Sequence, residues 1–89
     1  MPTISMFYGI IIVILYRDNA QHNLPHIHAR YQGNKASLAI GDASVLDGDL
    51  PPRQLRMVQV WMDIHREELL ADWELAVNGD EPFKIDPLK

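Results

Sequence analysis

One apolar stretch dominates the N-terminal part of the chain, from Ile4 to Tyr16, with β-branched residues from Ile10 to Ile14. Unbroken rather than alternating hydrophobicity fits a strand covered on both faces. The stretch predicts a first strand, with Gly9 as a bulge or bend near its start. One helix layer covers only one face of a sheet, so the other face of this strand calls for a further cover, such as a second subunit. Residues 17–25 are polar and turn-rich and predict a loop that holds Asp18 and His22. It is long for a hairpin connection, and loops of that length often carry function.

Residues 26–32 and 35–40 alternate in polarity around Gly33-Asn34, a two-residue hairpin signal. That turn pairs Gln32 with Lys35, Tyr31 with Ala36, Arg30 with Ser37, Ala29 with Leu38 and His28 with Ala39. Side chains alternate along each strand. One face then carries Ile27, Ala29, Tyr31, Ala36, Leu38 and Ile40; the other carries His26, His28, Arg30, Gln32, Lys35, Ser37 and Ala39. Both histidines fall on the face away from the helices. Gly41-Asp42 predicts a second tight turn, and residues 43–47 a short fourth strand with Ala43 and Val45 toward the core.

Pro51-Pro52 opens a helical pattern that runs to about Val77, where Asn78-Gly79 is a stop signal. Leu55, Val58, Met62, Leu69, Trp73 and Ala76 share one apolar stripe. Met57, Val60, Trp61 and Ile64 make the first half apolar on a second side, to be covered by a partner or by the chain's own second half. A break near His65-Arg66 would supply the latter. The expected fold is α+β: an antiparallel four-stranded meander followed by one long or two shorter C-terminal helices packed on one face. Residues 1–79 make the single domain and residues 80–89, with Pro82 and Pro87, an extended tail.

Eighty-nine residues form a small core, which favours oligomerisation as an added source of stability. The net charge is −4 with the histidines neutral, and no basic footprint for nucleic acid stands out. The absence of cysteine excludes disulfides and thiolate metal sites and suits a reducing cytoplasm. The run from Ile10 to Leu15 is far too short to span a bilayer and lacks the flanks of a signal peptide, so a soluble protein is expected.

Candidate chemistry gathers in Pro25-His26-Ile27-His28-Ala29-Arg30-Tyr31. His26 and His28 stand at i and i+2, about 7 Å apart at their bases for a rise of roughly 3.3 Å per residue. Two imidazoles so placed can hold one divalent metal ion, with His22 or Asp18 as a third donor. Zinc, iron, nickel and copper all suit such a set. The same pair can act as acid and base, with Arg30 on the same face to hold a phosphate or carboxylate. A solvated or dimer-buried sheet face needs neither. The candidate set is His22, His26, His28 and Arg30. His65 reads as a packed or capping residue, and Trp61 and Trp73 as core. Glu67, Glu68, Asp72 and Glu74 read as a solvated helix face. The chain has no phosphate-binding glycine loop and no nucleophile elbow.

Several segments together resemble a known family. These are Pro2-Thr3-Ile4 with Phe7 and Gly9, Pro25-His26-Ile27-His28-Ala29 with Tyr31, and Val45-Leu46 with Gly48 and Leu50-Pro51. The helix Trp61…His65-Arg66-Glu67-Glu68-Leu69…Trp73 completes the likeness to the bacterial domain of unknown function 4160. Leu24-Pro25 stands where that family has Pro-Pro, His22 fits its upstream histidine, and Ala43 replaces the glycine of its usual Asp-Gly turn. The resemblance implies a small cytoplasmic bacterial protein, often encoded beside another small protein in a toxin–antitoxin-like arrangement. It implies no activity. The expected function is therefore a protein-interaction module of such a pair, as a homodimer or with a small partner protein. The alternative is a histidine-dependent metal-binding or acid–base site acting on a phosphate-containing or nucleic-acid substrate.

Overall fold

The computed structural model describes residues 3–14 and 24–89. Leu15 and Tyr16 of the predicted first strand, and most of the following loop with Asp18 and His22, lie outside the described residues. Five strands form one antiparallel sheet in chain order: β1 (Thr3–Phe7), β2 (Ile10–Val13), β3 (His26–Tyr31), β4 (Asn34–Ala39) and β5 (Val45–Gly48). Two helices follow, α1 (Pro52–Ile64) and α2 (Arg66–Val77). The α+β class and the antiparallel order match the sequence; the strand count does not.

The apolar stretch that predicts a single strand folds back on itself. Phe7 pairs with Ile10, and Tyr8 and Gly9 form the turn with φ of 50° and 79°. Two successive positive φ values match the twist of a tight hairpin. A tyrosine in the first of these positions carries no turn signal, which is why the run reads as continuous. Folding back also changes the covering problem. Ile10, Ile12, Val13 and Ile14 are all buried within the chain, while Met6 and Tyr8 stay exposed.

The next hairpin turns at Gln32-Gly33, with φ of 47° and 83°, not at Gly33-Asn34. Tyr31 therefore opposes Asn34, Arg30 opposes Lys35, Ala29 opposes Ala36, and His28 opposes Ser37. Every predicted partner moves by two residues, so both faces keep their predicted membership but the neighbours across the strands change. After β4, Ala43 adopts a positive φ of 60°, the conformation a glycine would take there. The Asp42 carboxylate accepts the Ser44 N–H at 3.0 Å. Bonds from the Ser44 hydroxyl and then this N–H hold the Asp42 carboxyl below its usual range. Ala43 is buried as predicted, but Val45 is 40% exposed because it opens an edge strand paired to β4 through an irregular register.

Val58, Trp61 and Met62 of α1 are fully buried in one core with Phe7, Ile10, Ile12, Ile27, Ala29 and Leu38 from the sheet. Each large side chain buried this way contributes about 1.5–3 kcal/mol. The Phe7 and Trp61 rings lie 5.3 Å apart. The helical pattern does break at His65, whose φ of −109° and ψ of 25° leave the helical region. Arg66 donates from Nε to the Ile40 carbonyl at 3.1 Å and so ties the break to the end of β4. On the second apolar side of α1, Trp61 is covered by the chain itself, whereas Val60 and Ile64 remain exposed.

Residues 80–89 have no regular secondary structure; the Asp80 N–H donates to the Leu75 carbonyl at 2.8 Å at the end of α2, and three further bonds tie the tail to the domain. The Phe83 N–H donates to Asp72 Oδ1 at 2.9 Å, the Ile85 N–H to the Ile4 carbonyl at 2.8 Å, and Trp61 Nε1–H to the Asp86 carbonyl at 2.7 Å. Asp72 is the correction to the acidic set: it is 2% exposed, not solvated. Burial, opposed by the Phe83 N–H and reinforced by the Glu68 charge, raises its carboxyl above the usual range. Among the described residues, no helix is long and apolar enough to cross a membrane.

Candidate functional site

Directly opposed residues of an antiparallel sheet share a face. The ladders therefore set His28, Ser37 and Asp47 of β3, β4 and β5 in one polar row, with the buried Val13 of β2 at its end. A neighbouring row brings Arg30 opposite Lys35. These side chains line a cleft of about 420 Å³, formed by His28, Arg30, Lys35, Ala36, Ser37, Asp47 and Gly48. His28 Nδ1 and Ser37 Oγ are hydrogen-bonded at 3.2 Å. Two cations, Arg30 and Lys35, and one carboxylate, Asp47, line this cleft on a chain of net charge −4.

Gly48 makes the close approach of β5 possible. Its φ is 77°, and a Cβ there would lie 2.2 Å from the Lys35 carbonyl oxygen and 3.0 Å from Ala36 Cα. The same carbonyl accepts the Asp49 N–H at 2.9 Å. A side chain at position 48 would push β5, and Asp47 with it, away from Ser37.

His26 and His28 do come together, with ring centroids 5.2 Å apart in an edge-on arrangement. Their surroundings differ sharply. His26 is completely buried, and its ring also lies 5.1 Å from Trp73 of α2. The expectation that both histidines face away from the helices is thus corrected: after the break at His65, α2 brings Trp73 to the start of β3. The His26 Nδ1–H donates to the Leu24 carbonyl at 2.7 Å, since a carbonyl only accepts. His26 is a packed residue behind the cleft, and His28, half-buried, is the histidine that lines it. His65 sits at the helix break, bonded to Glu68 and against Trp61, as its packed reading expects.

Arg30 joins His28 in the cleft, while His22 and Asp18 lie outside the described residues. Among the described residues, no three His, Asp or Glu side chains form a metal-ligating group. Ser37, Lys35 and Asp47 are the polar cleft residues that the candidate set omits. The turn position was the missing signal. With Gly33 as the second rather than the first turn residue, Ser37 falls opposite His28 and Lys35 opposite Arg30.

The family model described as Domain of unknown function (DUF4160) matches residues 9–74, a span that includes the whole cleft. No curated protein and no solved structure matches the chain.

Proposed function

This chain belongs to the DUF4160 family, a domain of unknown function, and from that membership we propose that it is a protein-interaction module of a toxin–antitoxin-like pair. In this reading it works in the bacterial cytoplasm, as a homodimer or with a small partner protein, and the partner seats an anionic group in the cleft over β3, β4 and β5. The observation that carries the reading is the cleft itself, where Arg30 and Lys35 meet His28 and Ser37 on the sheet face. Concave sites with a few convergent polar groups are the usual form of specific recognition. The test is co-expression with the neighbouring gene product, followed by size-exclusion chromatography with light scattering. Co-elution is expected, with at least tenfold weaker binding for the His28→Ala/Lys35→Ala variant. A folded double variant that binds as tightly as the parent overturns the reading.

A second reading rests on the His28–Ser37 bond and on Asp47 in the same row. An imidazole beside a hydroxyl is an acid–base arrangement suited to phosphate-containing or nucleic-acid substrates. Turnover of a generic phosphodiester that disappears in His28→Ala supports it, and elemental analysis of untagged protein tests the metal-bound form. No turnover and no stoichiometric metal would dismiss it.

A further inference from the structure

While Val58, Trp61 and Met62 fill the core, α1 turns a second face outward. Arg53, Arg56, Met57, Val60, Asp63 and Ile64 fall within an arc of about 120° around the helix at 3.6 residues per turn. Val60 is 52% exposed and Ile64, one turn on, 62% exposed. The charges of this face run against the helix's own dipole. Arg53 stands in the first turn, at the positive end, and Asp63 in the last, at the negative end; the first turn has no acidic residue and the last no basic one. Neither Arg53 nor Arg56 has an ion-pair partner among the described residues, and Asp63 engages only Oδ1, with Arg66 at 3.0 Å. We propose that this face docks on the same face of a second copy of the chain, with the two α1 helices antiparallel about a twofold axis at Val60. A twofold axis requires a self-complementary surface, and cations in one half with a carboxylate in the other supply it. Val60 then meets its own counterpart, and Ile64 lies level with Arg56 of the second copy. Each Arg56 stem covers an Ile64 while its guanidinium reaches the Asp63 beside it, where Oδ2 is open. The reversed dipoles also set each arginine against the negative half of the other helix. A parallel pair would oppose arginine to arginine. The 13 residues of α1 span about 20 Å, too little for the roughly 800 Å² per partner of a standard interface, so the dimer is expected to be micromolar. The proposal rests on the homodimer form of the interaction reading and adds its surface, which lies across the sheet from the cleft.

The test is sedimentation equilibrium of the full chain and of charge variants whose fold is checked by circular dichroism. Arg56→Asp and Asp63→Arg should each weaken the dimer by about tenfold or more, since each sets like charges together. The double variant Arg56→Asp/Asp63→Arg restores the attraction with its sign reversed and should dimerise within about threefold of the parent. Because the chain has no cysteine, Val60→Cys under mild oxidation should give a disulfide-linked dimer, and Arg53→Cys should not. A monomeric parent at about 1 mM, weak single variants that the double variant does not rescue, or crosslinking through Arg53→Cys in place of Val60→Cys overturns the proposal. A monomeric parent that still co-elutes with the neighbouring gene product removes the second copy from this face and leaves the interaction module standing. A dimer that passes the charge-swap test while the neighbour does not co-elute supports the α1 surface and removes the paired module.

Discussion

Alanine at Gly48 and at Gly33 should have very different costs, although both glycines have positive φ, 77° and 83°. At Gly33 nothing lies within 4 Å of an added Cβ. The cost there is the left-handed backbone alone, about 1 kcal/mol. At Gly48 the same penalty applies, and the new methyl also falls 2.2 Å from the Lys35 carbonyl oxygen, a rigid backbone atom. β5 has to move outward, which sacrifices the Asp49 N–H bond to that carbonyl, worth about 1 kcal/mol. Residual strain in the displaced strand adds about 1 kcal/mol more. Gly48→Ala should therefore cost about 3 kcal/mol against about 1 kcal/mol for Gly33→Ala. Urea unfolding followed by circular dichroism measures the difference. With a slope of about 1 kcal/mol/M for a domain of this size, the two midpoints should differ by about 2 M. Coincident midpoints would refute the close approach of β5 to β4, and with it the geometry that places Asp47 beside Ser37.

The two histidines should separate in the same assay. His26→Ala removes a fully buried ring packed on Trp73 and should cost about 2–4 kcal/mol, whereas His28→Ala should cost under about 1 kcal/mol; equal losses would contradict their different burial. Because the raised Asp72 pKa means that the fold favours the protonated carboxyl, its contribution is fully present below the unfolded-state value near 3.8 and is lost as pH rises through the folded-state value. Asp72→Asn retains an acceptor for the Phe83 N–H, so its stability relative to the parent should be greater at pH 7 than at pH 4, measured by urea midpoints; a gain that shrinks with rising pH would refute this. Trp61→Phe removes the donor to the Asp86 carbonyl and should cost about 1 kcal/mol from that bond, before any packing loss. Hydrogen exchange at the Ile85 amide should accelerate in that variant; unchanged protection would mean that the tail is held without Trp61.

The site was legible by face and blurred by partner. Alternating polarity in residues 26–40 assigns His26, His28, Arg30, Lys35 and Ser37 to one side, and the structure keeps that assignment. Side-chain period is two, so a turn misplaced by one residue moves every partner by two and leaves the faces intact. Specific neighbours, such as Ser37 for His28, depend on the turn. The turn depends on which residues accept positive φ, and Gln32 and Tyr8 accept it without advertising it. Asp72 is the opposite case. Its charge suggests solvent, yet the returning tail covers it, and a contact between residues 72 and 83 leaves no local mark in either segment.

By itself the sequence determined the α+β class, the antiparallel order, the extent of the helical region, and the core stripe of Val58, Met62 and Leu69, and it left open whether that region is one helix or two. These follow from local periodicity, turn residues and helix stop signals, which act within a few positions of the chain. Only the tertiary structure decided that the first apolar run is a hairpin, that Arg66 bonds the end of β4, that the tail docks on β1, and that His26 is packed while His28 lines the cleft. Burial is a property of what arrives from elsewhere in the chain. Trp73 comes 47 positions after His26, and no periodicity in β3 can announce it.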